Sequence, residues 1–124
     1  MRYVLKKLIL ILLISDVYCQ IEYAHSSQPG QIVTHEGFTL SYNDTHKQAN
    51  WVAYQLTSSE LNGTAKRKNN FSKDPKVRKE SPLSSDYTNT GYDRGHLAPA
   101  ADMTWSQTAM KESFYMSNIS PQQP

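Results

Sequence analysis

Roughly thirty residues between Thr57 and Gly91 show neither the alternation of a strand nor the spacing of an amphipathic helix. In a chain of 124 residues this leaves one small domain, with regular structure on either side of a long connection. Loops of that length in compact domains are usually functional or mobile. No internal repeat, coiled-coil heptad or glycine-rich phosphate loop is present.

Before the connection the pattern is β-rich. Ile32 to Tyr42 carries Ile32, Val33, Thr34, Phe38, Thr39, Leu40 and Tyr42, with Gly37 marking a bulge or bend. After a turn at Asn43-Asp44, Ala49 to Thr57 reads as a second strand with apolar residues on both faces. Such a strand is expected to be central and covered on each side. Trp51 and Tyr54 are read as core, with base stacking the other use for such rings. Ser58 to Glu60 starts a helical turn that ends at Asn62-Gly63. After the connection, Thr104 to Ser113 has helical spacing in Trp105, Ala109 and Met110, with Thr104 or Ser106 as cap. Ser117 to Ser120 returns to an extended pattern.

At the N-terminus, Arg2, Lys6 and Lys7 precede seven apolar residues, Leu8 to Ile14, and polar residues follow. Residues 1–19 read as a signal peptide and 20–31 as a flexible leader, which implies a secreted or periplasmic protein. A short buried helix or strand is the other reading of the apolar run, which is too short to span a bilayer. Cys19 stands where a lipid anchor would be attached, although Asp16-Val17-Tyr18 matches that signal poorly. As the sole cysteine it permits no internal disulfide. Without residues 1–19 the basic and acidic residues balance, so overall charge says nothing about a polyanionic partner. Their distribution does: Lys66, Arg67, Lys68, Lys73, Lys76, Arg78 and Lys79 cluster between Thr64 and Glu80, with Asp74 the only acid among them. The run is either a phosphate-attracting field or a solvated loop.

The densest chemistry lies at Gly91-Tyr92-Asp93-Arg94-Gly95-His96. A neutral imidazole can take a proton from water, and a guanidinium can pair with phosphate oxygens. Gly95 would let the backbone approach a ligand or take a positive φ. The structural alternative is a turn in which Asp93 and Arg94 neutralise each other. His25, His35 and His46 show no metal-ligand spacing, which leaves a two-histidine zinc site unsupported.

Residues 91–122, GYDRGHLAPAADMTWSQTAMKESFYMSNISPQ, resemble the signature of the DNA/RNA non-specific endonucleases, the ββα-metal nucleases with a DRGH motif. NWVAYQL, Asn50 to Leu56, resembles that family too, and the likeness covers residues 32–124. It implies an α+β fold, an antiparallel β-sheet with ββα-metal nuclease architecture, incomplete at the C-terminal end, and metal-dependent hydrolysis of DNA and RNA. His96 matches the histidine that activates the attacking water. An upstream arginine steadies the transition state in this family; Arg67 is the better match and Arg78 the fallback. Arg94 either touches phosphate or braces the turn through Asp93, and Lys66 and Lys68 complete the substrate-binding set. Asp93, Gly95 and Asn118 are structural at the site. The implied ion is Mg2+, or Mn2+, held chiefly by an asparagine on a helix that would follow Pro124, so its ligand in this chain is unknown. Asn118 is not that ligand. The chain is then expected to be a fragment of a longer nuclease, or a shortened protein that no longer cuts. The rival is a secreted domain that binds nucleic acid or another polyanion without cutting it.

Overall fold

A computed structural model of the chain describes residues 30–124. The expected signal peptide, Cys19 and most of the leader lie outside the described residues. Gln31, assigned to the leader, already opens the first strand. Its side-chain amide donates to the Lys76 carbonyl at 2.6 Å and accepts from the Arg78 N–H at 2.8 Å, so it is fixed from both ends.

The β-rich stretch 32–42 is two strands. β1 (Gln31–Thr34) and β2 (Thr39–Asn43) pair antiparallel with Val33 opposite Leu40, and the His35 N–H closes the reversal on the Phe38 carbonyl at 2.8 Å. β3 (Gln48–Ala53) returns along β2, giving the order β1-β2-β3. This corrects the expected central strand: β2 is central, while β3 is an edge that stops at Ala53 with half-buried side chains. Tyr54, expected in the core, is exposed and donates its hydroxyl to Asp102 Oδ2 at 2.7 Å. A bulge sets which side chains of β3 face the core. The register shifts between Ser41 and Tyr42, leaving Asn50 unpaired, so Ala49 and Val52 both pack on the core while Trp51 stays half-buried.

That core joins Val33, Phe38, Leu40 and Tyr42 of the hairpin to Val77 of the connection and to Ala98, Met103 and Ala109 beyond it. Complete burial of one aliphatic side chain such as Leu40 contributes about 2 kcal/mol.

The DRGH quartet, expected as a turn, is a strand. β4 (Asp93–His96) pairs antiparallel with β5 (Ile119–Gln122), His96 opposite Ile119. Between them lie a 3-10 turn (Ala100–Met103), α1 (Gln107–Glu112) and a second 3-10 turn (Met116–Asn118). α1 is shorter than expected because Ser106 starts it, its Oγ accepting from the Thr108 and Ala109 N–H groups at 3.2 Å each.

The long connection is tied down rather than loose. It contains 3-10 turns at Ser58–Asn62 and Ser84–Tyr87. Gly63 passes so close to the Thr104 backbone that a Cβ would not fit, and the next tie is Ala65 N–H to the Thr104 carbonyl at 2.8 Å. Ser72 then bridges Tyr115 in parallel: its N–H reaches the Phe114 carbonyl at 3.2 Å and its carbonyl accepts from the Met116 N–H at 2.9 Å. Residues 65–72 are therefore laid beside α1 between two backbone anchors.

Candidate active site

Alternation along β4 places Arg94 and His96 on one face and Asp93 and Gly95 on the other. The His96 ring packs edge-on against Phe114, centroids 4.7 Å apart at 82°, and tilted against Phe71 at 5.7 Å. The two phenyl rings meet each other at 5.1 Å, because the Ser72 bridge lays Phe71 beside Phe114. In that setting His96 Nε2 is buried without a hydrogen-bond partner. Burial, and after it the charge of Arg67, pushes the His96 pKa from 6.5 down to about 4. The imidazole is therefore neutral at pH 7 and able to accept a proton.

The Arg67 guanidinium stands 5.3 Å from the centre of the Phe114 ring, and its Nε donates to Asn69 Oδ1 at 2.5 Å. Of the two candidate arginines, only Arg67 is near enough to act on His96. The Arg78 backbone is fastened to Gln31 of β1.

Arg94 braces the connection and does not pair with Asp93. Its Nη2 and Nε donate to the Ser84 carbonyl at 2.6 and 3.2 Å, and Nη2 reaches Thr88 Oγ1 at 3.3 Å. Its guanidinium also lies over Phe71 at 5.8 Å and Tyr87 at 5.9 Å. Adjacent residues of a strand point to opposite faces, which is why the expected Asp93–Arg94 neutralisation does not form. Asp93 is exposed and makes no ion pair among the described residues. Of the two uses open to Gly95, close approach or a positive φ, the second is not taken, and the glycine with positive φ is Gly91, at 82°. Gly95 is buried opposite Ser120, and the place of its missing Cβ is taken by the Gln122 side chain.

Asn118 is fully buried and binds the chain just after His96. Its Oδ1 accepts from Ala98 N–H at 2.9 Å, while Nδ2 donates to the Ala98 carbonyl at 3.0 Å and the Ser113 carbonyl at 2.9 Å. Its own carbonyl accepts from Leu97 N–H at 2.9 Å.

The basic run divides in two. Lys66, Arg67 and Lys68 are exposed on the α1 side, next to the His96 cluster. Lys76 and Lys79 turn towards the hairpin, where Lys76 donates to the Thr34 carbonyl at 2.8 Å and Lys79 lies 3.4 Å from Asp44.

Sequence reasoning missed the walls of the site and one buried cluster. Phe71 is the sole aromatic residue in the basic segment, and that isolation was the available signal. His35, set aside on spacing, lies between two carboxylates: Nε2 is 2.9 Å from Asp74 Oδ2 and Nδ1 is 3.4 Å from Glu112 Oε1. Among the described residues no three His, Cys, Asp or Glu side chains gather in a way that could hold a metal ion.

A family model for DNA/RNA non-specific endonucleases matches residues 20–124. The chain belongs to that family. It is 39% identical to human mitochondrial endonuclease G over 107 residues, covering 83% of the chain and 36% of the human protein. Zebrafish mitochondrial nuclease EXOG is 47% identical over 85 residues, covering 67% of the chain and 25% of that protein. A nuclease from the cyanobacterium Nostoc is 44% identical over 91 residues, covering 70% and 32%. Among solved structures, that of the EndoG/EndoGI complex, described as showing the mechanism of EndoG inhibition, superposes with a TM-score of 0.68 at 29% identity. The match covers 78% of this chain and 42% of that one. The fold is thus α+β, of the ββα-metal nuclease kind, and the chain spans between a quarter and about a third of the length of these curated relatives. The comparison also corrects the secretory reading. Relatives whose names carry a compartment, from human, zebrafish and yeast, are mitochondrial, which overturns the secreted or periplasmic assignment and the Cys19 anchor that depended on it. No helix among the described residues is long and apolar enough to cross a membrane.

Proposed function

We propose that the protein hydrolyses phosphodiester bonds of DNA and RNA, with His96 as general base, in a mitochondrial setting. The observation that carries this reading is the neutral His96 whose buried Nε2 has no hydrogen-bond partner while a guanidinium stands nearby. A water reaching the imidazole gives up its proton to the ring as its oxygen attacks phosphorus, and the bond to the leaving oxygen breaks on the opposite side, that oxygen taking a proton from solvent. Arg67 is placed to offset the negative charge that grows on the phosphoryl oxygens. Arg94 keeps Phe71 and the Ser84–Thr88 segment in position, which holds the wall behind the imidazole. Lys66 and Lys68 attract the polyanion without reading bases, in keeping with low sequence preference.

Nucleases of this family are generally metal-dependent. Among the described residues no three His, Cys, Asp or Glu side chains gather to hold an ion. The expected requirement for magnesium or manganese is instead measured directly. Plasmid is incubated with the protein in magnesium, in chelator, and with His96→Ala. Nicking in magnesium, none in chelator, and a loss of about 10²–10⁴-fold in the variant are expected, the usual contribution of a general base. Unchanged cleavage by His96→Ala refutes the role of the imidazole. Plasmid that is retarded on a gel yet remains intact in magnesium or manganese refutes hydrolysis and leaves a binding domain.

A further inference from the structure

The described lysines sort into two groups by their neighbours. Lys47 pairs with Glu80 at 2.6 Å, Lys76 lies 3.6 Å from Glu112, and Lys79 lies 3.4 Å from Asp44. Lys73 is close enough to Glu80 to help lower the pKa of that carboxyl. Lys66, Lys68 and Lys111 have no carboxylate partner among the described residues, and all three line one groove between the connection and α1.

Asn70, Gln107 and Met110 complete its sides, and no acidic residue lines it. Gln107, Met110 and Lys111 stand at i, i+3 and i+4, on one helix face. On the opposite bank Lys66 and Lys68 are held between the anchors at Ala65 and Ser72, so their backbone is fixed relative to α1. Phe114 also lines the groove, and that same ring packs 4.7 Å from His96. The groove and the imidazole therefore share the Phe114 ring as a common wall.

We propose that this groove is a subsite for the sugar-phosphate backbone of the polynucleotide flanking the scissile bond, with Lys111 as its third cation. The inference rests on the polynucleotide substrate proposed above and extends it to a surface on α1. Its chemistry suits a chain of phosphodiesters. Three unneutralised ammonium groups spread along a channel meet successive charges, neutral amides tolerate any base, and the Met110 side chain offers apolar contact to a sugar.

The test is binding of a fluorescently labelled DNA duplex in chelator, followed by anisotropy over a range of sodium chloride concentrations. Lys66→Gln, Lys68→Gln and Lys111→Gln are each expected to weaken binding and to reduce the steepness of log Kd against log salt by about 0.9. Lys47→Gln and Lys79→Gln, whose ammonium groups are already paired, are expected to leave that slope unchanged. A wild-type slope in Lys111→Gln overturns the subsite, as does an equal loss in the two paired-lysine variants or a failure of the unaltered protein to bind. Slope losses confined to the three groove variants, in a protein that leaves DNA uncut in magnesium, uphold the subsite and defeat only hydrolysis.

Discussion

An imidazole held near pKa 4 stays neutral across the whole neutral range, but it is a weaker acceptor than an ordinary histidine, because proton affinity and pKa fall together. Substrate offsets this, since a phosphate beside the ring favours the protonated form that water attack creates. The free protein and its substrate complex should therefore show different acid limbs, and kcat/KM reports the free one. Burial is the larger cause of the low value and Arg67 the second, so Arg67→Gln is expected to move the acid limb of kcat/KM upward from about 4, to a point still below 6.5. It should also lower the rate by about 10²–10³-fold, the usual effect of removing one transition-state donor. Arg67→Lys keeps the charge and should keep the limb. A pH profile of identical shape in Arg67→Gln would show that the guanidinium does not act on His96. The DRGH motif drew attention to His96 in the sequence. Its environment was not legible there, because Phe71 and Phe114 are distant in the chain and are brought together by the one bridge between Ser72 and Tyr115.

Among the elements, β4 is the one the site depends on, and its length is set from outside the ladder. Pairing ends at His96 opposite Ile119, yet the Asn118 amide then serves Ala98 as a strand would, meeting both its N–H and its carbonyl, and it spans to Ser113 at the end of α1. The segment after His96 is thereby locked to the end of α1, next to Phe114. Asn118→Ala leaves three buried backbone groups unpaired and is expected to cost about 3 kcal/mol, read as a lower urea midpoint. Asn118→Asp should cost more, because a carboxylate would face the Ala98 and Ser113 carbonyl oxygens in a site without water access. Equal stability of Asn118→Asp and the unaltered protein would show that this amide does not hold the two elements together. The motif drew attention to SNISPQ, but it could not reveal that DRGH is extended. A glycine and three polar residues carry no strand signal, and the pairing partner lies beyond the helix.

Across the molecule, the buried cluster around His35 joins parts that share no secondary structure. Asp74 Oδ2 accepts from His35 Nε2 at 2.9 Å and from Ser117 Oγ at 2.5 Å, and Oδ1 accepts from Lys76 N–H at 2.9 Å. Glu112 faces the other side of His35, accepts from Glu36 N–H at 2.6 Å and has the Lys76 ammonium 3.6 Å away. The hairpin, the connection, α1 and the approach to β5 thus meet at one set of charges. Burial by itself would raise the Asp74 pKa, but the bonds from His35, Ser117 and the Lys76 N–H outweigh it and hold the carboxyl below the ordinary value of 3.8. A carboxyl depressed in the folded state takes up its proton later than in the unfolded chain. Its contribution is complete above the unfolded value and is lost as pH falls below 3.8 through the lower folded value. Asp74→Asn, which removes the charge and turns donors towards donors, is expected to cost about 2–3 kcal/mol at neutral pH. Because the variant has nothing to titrate there, the gap in unfolding free energy should narrow as urea titrations move from about pH 7 to about pH 3. A gap of constant size would mean that the ionised carboxylate is not what secures the cluster. The same geometry explains why sequence reading passed over it: the only acid in the basic run resembled an interruption, and its partners lie in three other segments.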